Sequence, residues 1–396
     1  MPIKILHIDD KCTGCGACTS ICAKGALTLK YNQEGFYYPA LDADRCVGCN
    51  LCEKACHVLN KPISVDIDKR YTPYMLQAKD EELVKKSSSG GVFSIIADEI
   101  LGEGGIIYGA RYNFEKERLE HSSTDECSLD ELRKSKYIES YLGNTFADVR
   151  KQLIANRKVF FCGTPCQVKG LLTYLETRNV DTVNLLTARF ICHGVPANKF
   201  FTEYKHWKEK KEDCKITHID FRPKTRSWSV SNIVLKLQNG KTIDELYREN
   251  YYYYYFQKNV LLRKCCYNCK QIHEIVGDIT IADFWGIHKY APQKNDNKGI
   301  SLVLVQTDKA RNILQKANAK LAIEELPQSA VDYIYKDAED KKTLLSLREE
   351  IMREAIEIGY MPHVIKRVRK DILKFKIKNK VVKILKSTGI WKIIKK

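Results

Sequence analysis

Eight of the sixteen cysteines fall into two copies of one spacing, and that repeat constrains the first sixty residues more tightly than any other feature of the chain. Cys12, Cys15, Cys18 and Cys22 read C-x2-C-x2-C-x3-C, and Cys46, Cys49, Cys52 and Cys56 repeat it. Three thiolates this close can wrap one face of an iron-sulfur cubane, and where two such clusters share a domain the fourth cysteine of each run crosses to the other cluster. The spacing therefore predicts one 4Fe-4S cluster on Cys12, Cys15, Cys18 and Cys56 and a second on Cys46, Cys49, Cys52 and Cys22. Gly14, Gly16 and Gly48 suit loops whose amides turn toward sulfur. Structural zinc is the competing reading, but zinc sites rarely need three thiolates at this spacing. The proline usual after the fourth cysteine is missing; Ala23 and His57 stand there.

With 396 residues the chain is long enough for two or three cores. Residues 1–62 read as a ferredoxin-like dicluster domain, followed by a polar linker to about Tyr71. A body follows in two parts, 72–155 and 156–325, and a helical region over 326–396 ends in a basic tail. In the body, the turn Ser87-Ser-Ser-Gly-Gly91 precedes a helical pattern of Val92, Phe93, Ile96 and Ile100. Strand-like runs at 105–112, 159–161, 184–191, 279–282 and 302–306 alternate with amphipathic helices, which predicts a mixed α/β (α+β) architecture. Met1 to Asp10 has neither the apolar stretch nor the cleavage site of a secretory signal, so the cysteines read as belonging to a reducing cytoplasm rather than to disulfides. No apolar run reaches the length of a membrane span.

Beyond residue 72, six stretches together resemble the beta subunit family of coenzyme F420 hydrogenases and dehydrogenases, over about residues 72–320. They are Ser88-Ser-Gly-Gly-Val-Phe93, Ser135-Lys-Tyr-Ile-Glu-Ser140, Phe161-Cys-Gly-Thr-Pro-Cys-Gln167, Cys192-His-Gly-Val-Pro196, Leu262-Arg-Lys-Cys-Cys-Tyr-Asn-Cys269 and Gly277-Asp-Ile-Thr-Ile-Ala-Asp-Phe-Trp-Gly286. The resemblance implies an α/β flavoprotein that carries FAD and iron-sulfur clusters and exchanges a hydride with coenzyme F420 or another organic substrate. Relatives that look like this also occur alongside cell-surface polysaccharide synthesis. A flavin accepts electrons in pairs and releases them singly, which is what a partner to one-electron clusters must do. A ferredoxin or hydrogenase-type protein is the redox partner such a chain implies.

Cys166, Cys192, Cys266 and Cys269 sit in turn-like contexts, two of them after expected strands. They can surround a third cluster, and the resemblance supports a cluster in this part of the fold. Cys162 and Cys265 are the spares; ordinary burial is the plainer reading of Cys162, Cys192 and Cys214, and it is the preferred one for Cys162 and Cys214. His193 is a proton donor or a structural histidine, and Asp283 is a catalytic carboxylate or a cap. There is no G-x-G-x-x-G, which argues against a dinucleotide-binding Rossmann unit. For the flavin, Ser89, Gly90 and Gly91 offer amides at a helix start and Lys136 adds charge, with Trp285 bordering the ring. A plain turn and a core aromatic are the plainer alternatives. The run Tyr251 to Tyr255 reads as a packed helix.

The net charge of +17 is concentrated at the end, where residues 366–396 hold 13 Lys or Arg against the single acid Asp371. Ile365, Val368, Ile372, Phe375, Val382 and Leu385 recur at helical spacing, and Trp391 stands near the end. Such a helix either docks on the body or lies on an anionic membrane surface through residues 364–396, on the inner face of the membrane. Nucleic acid is a weaker option, since no nucleic-acid fold accompanies the tail. Three functions stay open: a flavin and iron-sulfur oxidoreductase, an electron-carrier subunit without its own substrate site, and an adaptor with structural clusters.

Overall fold

The computed structural model describes residues 4–60, 71–269, 274–331 and 341–387. Among these residues, thirteen strands form three sheets. Strands β1 (Leu27–Tyr31) and β2 (Tyr37–Leu41) make an antiparallel hairpin in the dicluster module. The body contributes β3 (Thr72–Ala78), β4 (Ile106–Asn113), β5 (Arg118–Ser123), β6 (Val159–Gly163) and β7 (Leu185–Phe190). Next come β8 (Ile216–Asp220), β9 (Asn232–Leu237) and β10 (Thr242–Leu246), an antiparallel sheet of their own. Strands β11 (Ile279–Asp283), β12 (Ser301–Val305) and β13 (Leu321–Glu325) complete the body.

The main sheet runs β13-β3-β12-β11-β7-β6-β4-β5. Its centre is parallel, with β4 on β6, β6 on β7 and β7 on β11, while β12, β3, β13 and β5 join antiparallel. The reason is visible in the residues. Val159-Phe-Phe and Leu185-Leu-Thr-Ala are apolar or nearly so at consecutive positions, as strands covered on both faces must be. Phe160 points into a core with Ile96, Ile107, Val303 and Ile313, and Phe161 into the opposite one with Val168, Leu171 and Phe146. Strands from both expected parts of the body, 72–155 and 156–325, interleave in this one sheet.

Helices Val92–Gly102 and Asp308–Lys316 cover the first face. The second is covered by helices Thr145–Ile154 and Pro165–Thr177, and over these lies the dicluster module itself. Ile21, Leu27, Ala17 and Ala55 of the module share one core with Phe146, Leu171 and Tyr174 of the body. The module is thus a layer of the fold.

One ion pair fastens the layer. Arg263 is fully buried; its Nε donates to the Cys12 carbonyl at 2.7 Å, one terminal nitrogen donates to the Tyr37 carbonyl at 3.0 Å, and the other meets Glu139 Oε1. The guanidinium also lies over the Tyr38 ring, 4.1 Å from its centroid. Glu139 in turn accepts from the Tyr37 amide at 3.0 Å. Burial pushes the Glu139 carboxyl up, while Arg263 and that amide pull it back.

The aromatic run forms helix Tyr251–Gln257, capped by Asn250 and buried through Tyr252, Tyr253 and Tyr255. Helices Leu345–Ile358 and Tyr360–Ser387 close the described chain. Val364, Val368 and Ile372 are buried and Ile365 half-buried against the body, so the tail's expected apolar stripe docks on the protein. Trp391 lies outside the described residues. Among those described, no helix is long and apolar enough to cross a membrane.

Arg263→Met leaves the Glu139 carboxylate buried without its partner and is expected to cost about 3–5 kcal/mol in chemical denaturation. Combining it with Glu139→Gln should restore much of that loss, because the uncompensated charge is then gone.

Candidate functional site

In the dicluster module the two cysteine runs cross. Cys56, from the second run, neighbours Cys15 and Cys18 from the first, and Cys12 stands beside all three. Burial and mutual repulsion push Cys15, Cys18 and Cys56 up, with backbone amides near Ala17 and Leu59 opposing the rise at Cys15 and Cys56. Cys22 accepts from the Ala26 amide at 3.3 Å. Buried thiols crowded together and met by amides are a donor set that a cationic iron-sulfur core neutralises. His57, standing where proline is usual, is buried and shares a hydrogen bond of 3.0 Å with Thr13 of the other run. It ties the two halves of the pseudo-symmetric module together. The second run is the outward one: Cys49 and Val47 are exposed, while Cys12 and Cys18 are buried.

The third set of cysteines assembles at the carboxyl ends of the parallel strands. Cys166 opens the helix Pro165–Thr177 just after β6, Cys192 follows β7, and Cys266 and Cys269 lie on and just after the short turn Lys264–Asn268. Cys192 has Cys266, Cys166 and Cys269 as electrostatic neighbours, and Cys166 has Cys269 and Cys266. Burial pushes Cys166 up to about 12. The Gly194 amide reaches Cys192 Sγ at 3.4 Å. Cys265 donates to Cys266, which is drawn below the usual thiol range while Cys265 is pushed above it. The bridge between Pro196 and Leu262, with the Arg263 amide on the Val195 carbonyl at 2.9 Å, lays the Cys266 segment beside the Cys192 loop.

The two cysteine groups touch through one glycine. Gly170 stands one helical turn after Cys166 on the same face, and a Cβ built there would come within 2.8 Å of Cys15 Sγ. Cys15 and Cys166 also interact electrostatically. Any side chain at 170 would push the module away from the body.

Farther along the same sheet edge lies a cationic cradle. Asp283 ends β11, whose pairing with β7 brings it abreast of Cys192. Its two oxygens are held by Trp228 Nε1 at 2.9 Å and Arg222 at 3.2 Å. Trp285 stacks on Trp228 with centroids 4.7 Å apart and keeps 37% of its surface exposed, and the Arg222 guanidinium lies 5.3 Å from its ring centroid. Lys224 donates to the Ser89 carbonyl at 2.6 Å and to that of Val84 at 2.7 Å, and burial pulls it down to about 7 with Asp283 opposing. Ser88 accepts from the Ser135 amide at 2.8 Å. Lys136 is turned onto the Arg133 carbonyl at 2.6 Å, and burial pulls it down to about 8.

Ser89, Asp283 and Trp285 therefore converge on Lys224 and Arg222. Gly90 does less than expected: its amide donates to Ser301 Oγ at 2.9 Å, and a Cβ there would meet the Leu76 carbonyl at 2.3 Å. Its place is a close approach of two segments, and Gly91 turns the chain into helix Val92–Gly102 with φ +90°. His193 is exposed beside Cys192, and its carbonyl accepts from Lys341 at 2.6 Å. Residues that carry no signal in the sequence are Arg222, Lys224, Trp228, Gly170 and the Arg263–Glu139 pair. Only Glu139 and Arg263 lie within quoted motifs, where no spacing signals a partner 124 positions away.

Fold and cysteines define an iron-sulfur protein in which a two-cluster module is built onto an α/β body. Residues 11–59 match the model of the 4Fe-4S dicluster domain, and residues 156–330 match that of the C terminus of the coenzyme F420 hydrogenase/dehydrogenase beta subunit. Over those residues the chain is similar to these two families, the second of which is one of oxidoreductase subunits. Among solved structures it is similar to a chain of the F420-reducing [NiFe] hydrogenase complex from Methanosarcina barkeri, studied by xenon derivatization, at 16% identity and a TM-score of 0.46, covering 72% of this chain and 92% of that one. No curated protein matches it in sequence.

Gly170→Ala tests the contact between the cysteine groups. In a helix interior this change ordinarily gains about 1 kcal/mol; against Cys15 it is expected instead to lose about 1–3 kcal/mol by overpacking, read as a lowered thermal midpoint.

Proposed function

We propose that the chain is an oxidoreductase that carries single electrons from a redox protein docked at the Cys46–Cys56 face to an organic two-electron carrier held at the strand ends. The observation that carries this reading is the Cys15, Gly170 and Cys166 contact, which sets the dicluster module against the body's own four cysteines. In this reading Cys46, Cys49, Cys52 and Cys22 hold the outward cluster. Cys12, Cys15, Cys18 and Cys56 hold the buried one, and Cys166, Cys192, Cys266 and Cys269 a third. The order of burial gives the order of the path, from exposed Val47 and Cys49 inward.

FAD is the cofactor that suits the cradle. Bound flavin supplies the exchange between paired and single electrons, which clusters alone do not perform. Lys224 and Arg222 would balance its phosphates, Trp285 presents an aromatic face of the right kind for stacking, and Asp283 holds Arg222 and Trp228 in position. His193, exposed next to Cys192, is the side chain offered for proton delivery at the substrate. Coenzyme F420, or another organic carrier in a surface-polysaccharide route, is the class of substrate this site would serve.

Anaerobically purified protein is expected to hold about twelve irons and about one flavin, at four irons per cubane. About eight irons without flavin would reduce the chain to an electron carrier. Cys166→Ala should remove about a third of the iron and leave the dicluster pair. Because Lys224 is cationic only below its lowered value, FAD affinity in a fluorescence titration should fall as the pH rises through about 7. Lys224→Met should bind more weakly and without that dependence; a pH-dependent Lys224→Met protein would remove Lys224 from the site.

A further inference from the structure

The helix Tyr360–Ser387 is apolar on two opposite faces. One is consumed by the body, through Val364, Val368 and Ile372. The other carries Leu373, Ile377 and Val381, which remain 54%, 57% and 48% exposed. At about 100° per residue the mean direction of these three lies roughly 180° around the axis from that of the docked three, and they form a ridge about 12 Å long. Lys374 and Lys380 flank the ridge on its two sides, Lys366 and Lys370 continue its line toward the helix start, and among the described residues none of the four is in an ion pair. The charged residues of this helix that the body does engage are elsewhere: Arg367 meets Glu350 and Glu354, and Lys376 approaches Glu245 at 3.8 Å.

An exposed apolar ridge set among lysines outside any ion pair has a specific physical complement. A phosphate backbone would satisfy the lysines and leave the ridge in water. A second copy of the helix would satisfy the ridge and bring two cationic rows together. An anionic bilayer satisfies both at once, because the ridge enters the acyl boundary while the lysine stems extend to the headgroups. Beside the ridge, a groove of about 490 Å³ between this helix and the tyrosine-rich one is lined by Arg248, Lys258 and Lys374 against the single acid Asp371, with the faces of Tyr254 and Phe375, and it carries a net positive charge.

We propose that Leu373, Ile377 and Val381, with their flanking lysines, seat the protein on an anionic lipid surface without crossing it. The surface used is the opposite one from the stripe that the sequence pattern offered. Cosedimentation of the full chain with vesicles tests it. Binding is expected with phosphatidylcholine and phosphatidylglycerol in equal parts and not with phosphatidylcholine alone. The variant Leu373→Gln/Ile377→Gln/Val381→Gln should lose roughly tenfold or more in partitioning. All three side chains are exposed, so unchanged iron content and circular dichroism establish that this variant is folded. Lys370→Glu/Lys374→Glu/Lys380→Glu should abolish binding to the anionic vesicles. Equal partitioning of wild type and the glutamine variant overturns the proposal, as does no binding of the wild type to anionic vesicles. A wild-type dimer that the glutamine variant dissolves, without vesicle binding, overturns it too and assigns the ridge to a second copy instead.

Discussion

The buried guanidinium of Arg263 is the constraint around which the molecule is organised. It comes from the segment that carries Cys265 and Cys266, and it donates to Cys12 in the first cysteine run and to Tyr37 in the hairpin while pairing with Glu139 of the body. A charge in that position has no water to fall back on, so the four segments must all be in register for it to be satisfied. Such a pair contributes less to net stability than to uniqueness. It penalises any arrangement in which the module is undocked or shifted, and in doing so it fixes the spacing between two groups of cysteines that no strand or helix connects directly.

Electron transfer needs that fixed spacing more than it needs any single ligand. The parallel strands β6, β7 and β11 end together, and ligands of open α/β sheets gather at such ends. Here the ends deliver Cys166, Cys192 and Asp283 to one edge, so the third cysteine group and the cationic cradle are neighbours by topology. The helix that starts at Cys166 then runs under the dicluster module, and Gly170 lets it come close. A short, rigid sequence from outward cysteines to strand ends results from three ordinary features: a crossed cysteine repeat, a parallel sheet and one missing side chain.

What was legible in the sequence follows the range of the interactions. The two C-x2-C-x2-C-x3-C runs could be read because their chemistry is set within eleven residues, and the central strands because β-branched and aromatic runs announce two-sided burial. Turn contexts and family likeness are enough to group Cys166 with Cys192, Cys266 and Cys269, and the structure brings those four together. Arg263 and Glu139, and Lys224 with Ser89, were not readable as partners. Each pair is separated by more than a hundred positions, and nothing local distinguishes a lysine that will be buried from one that stays in solvent. His57 is an intermediate case, since its departure from proline was evident while its bond to Thr13 required the pseudo-symmetric fold.

The C-terminal helix shows the same limit from the other side. Its sequence repeats apolar residues at positions 365, 368, 372 and 375, and that pattern is enough to predict one buried face. It does not say whether protein or lipid buries it, because both solvents reward the same periodicity. Only the docked geometry separates the faces, and it does so by exhausting the first: once Val368 and Ile372 are covered by the body, Leu373, Ile377 and Val381 are the apolar surface still exposed to water. The lysines around that ridge disfavour pairing it with a like-charged copy. The same charges that would repel a second helix would attract a surface of opposite sign, so the inner face braces the helix against the body while the outer one is the face proposed for the lipid contact.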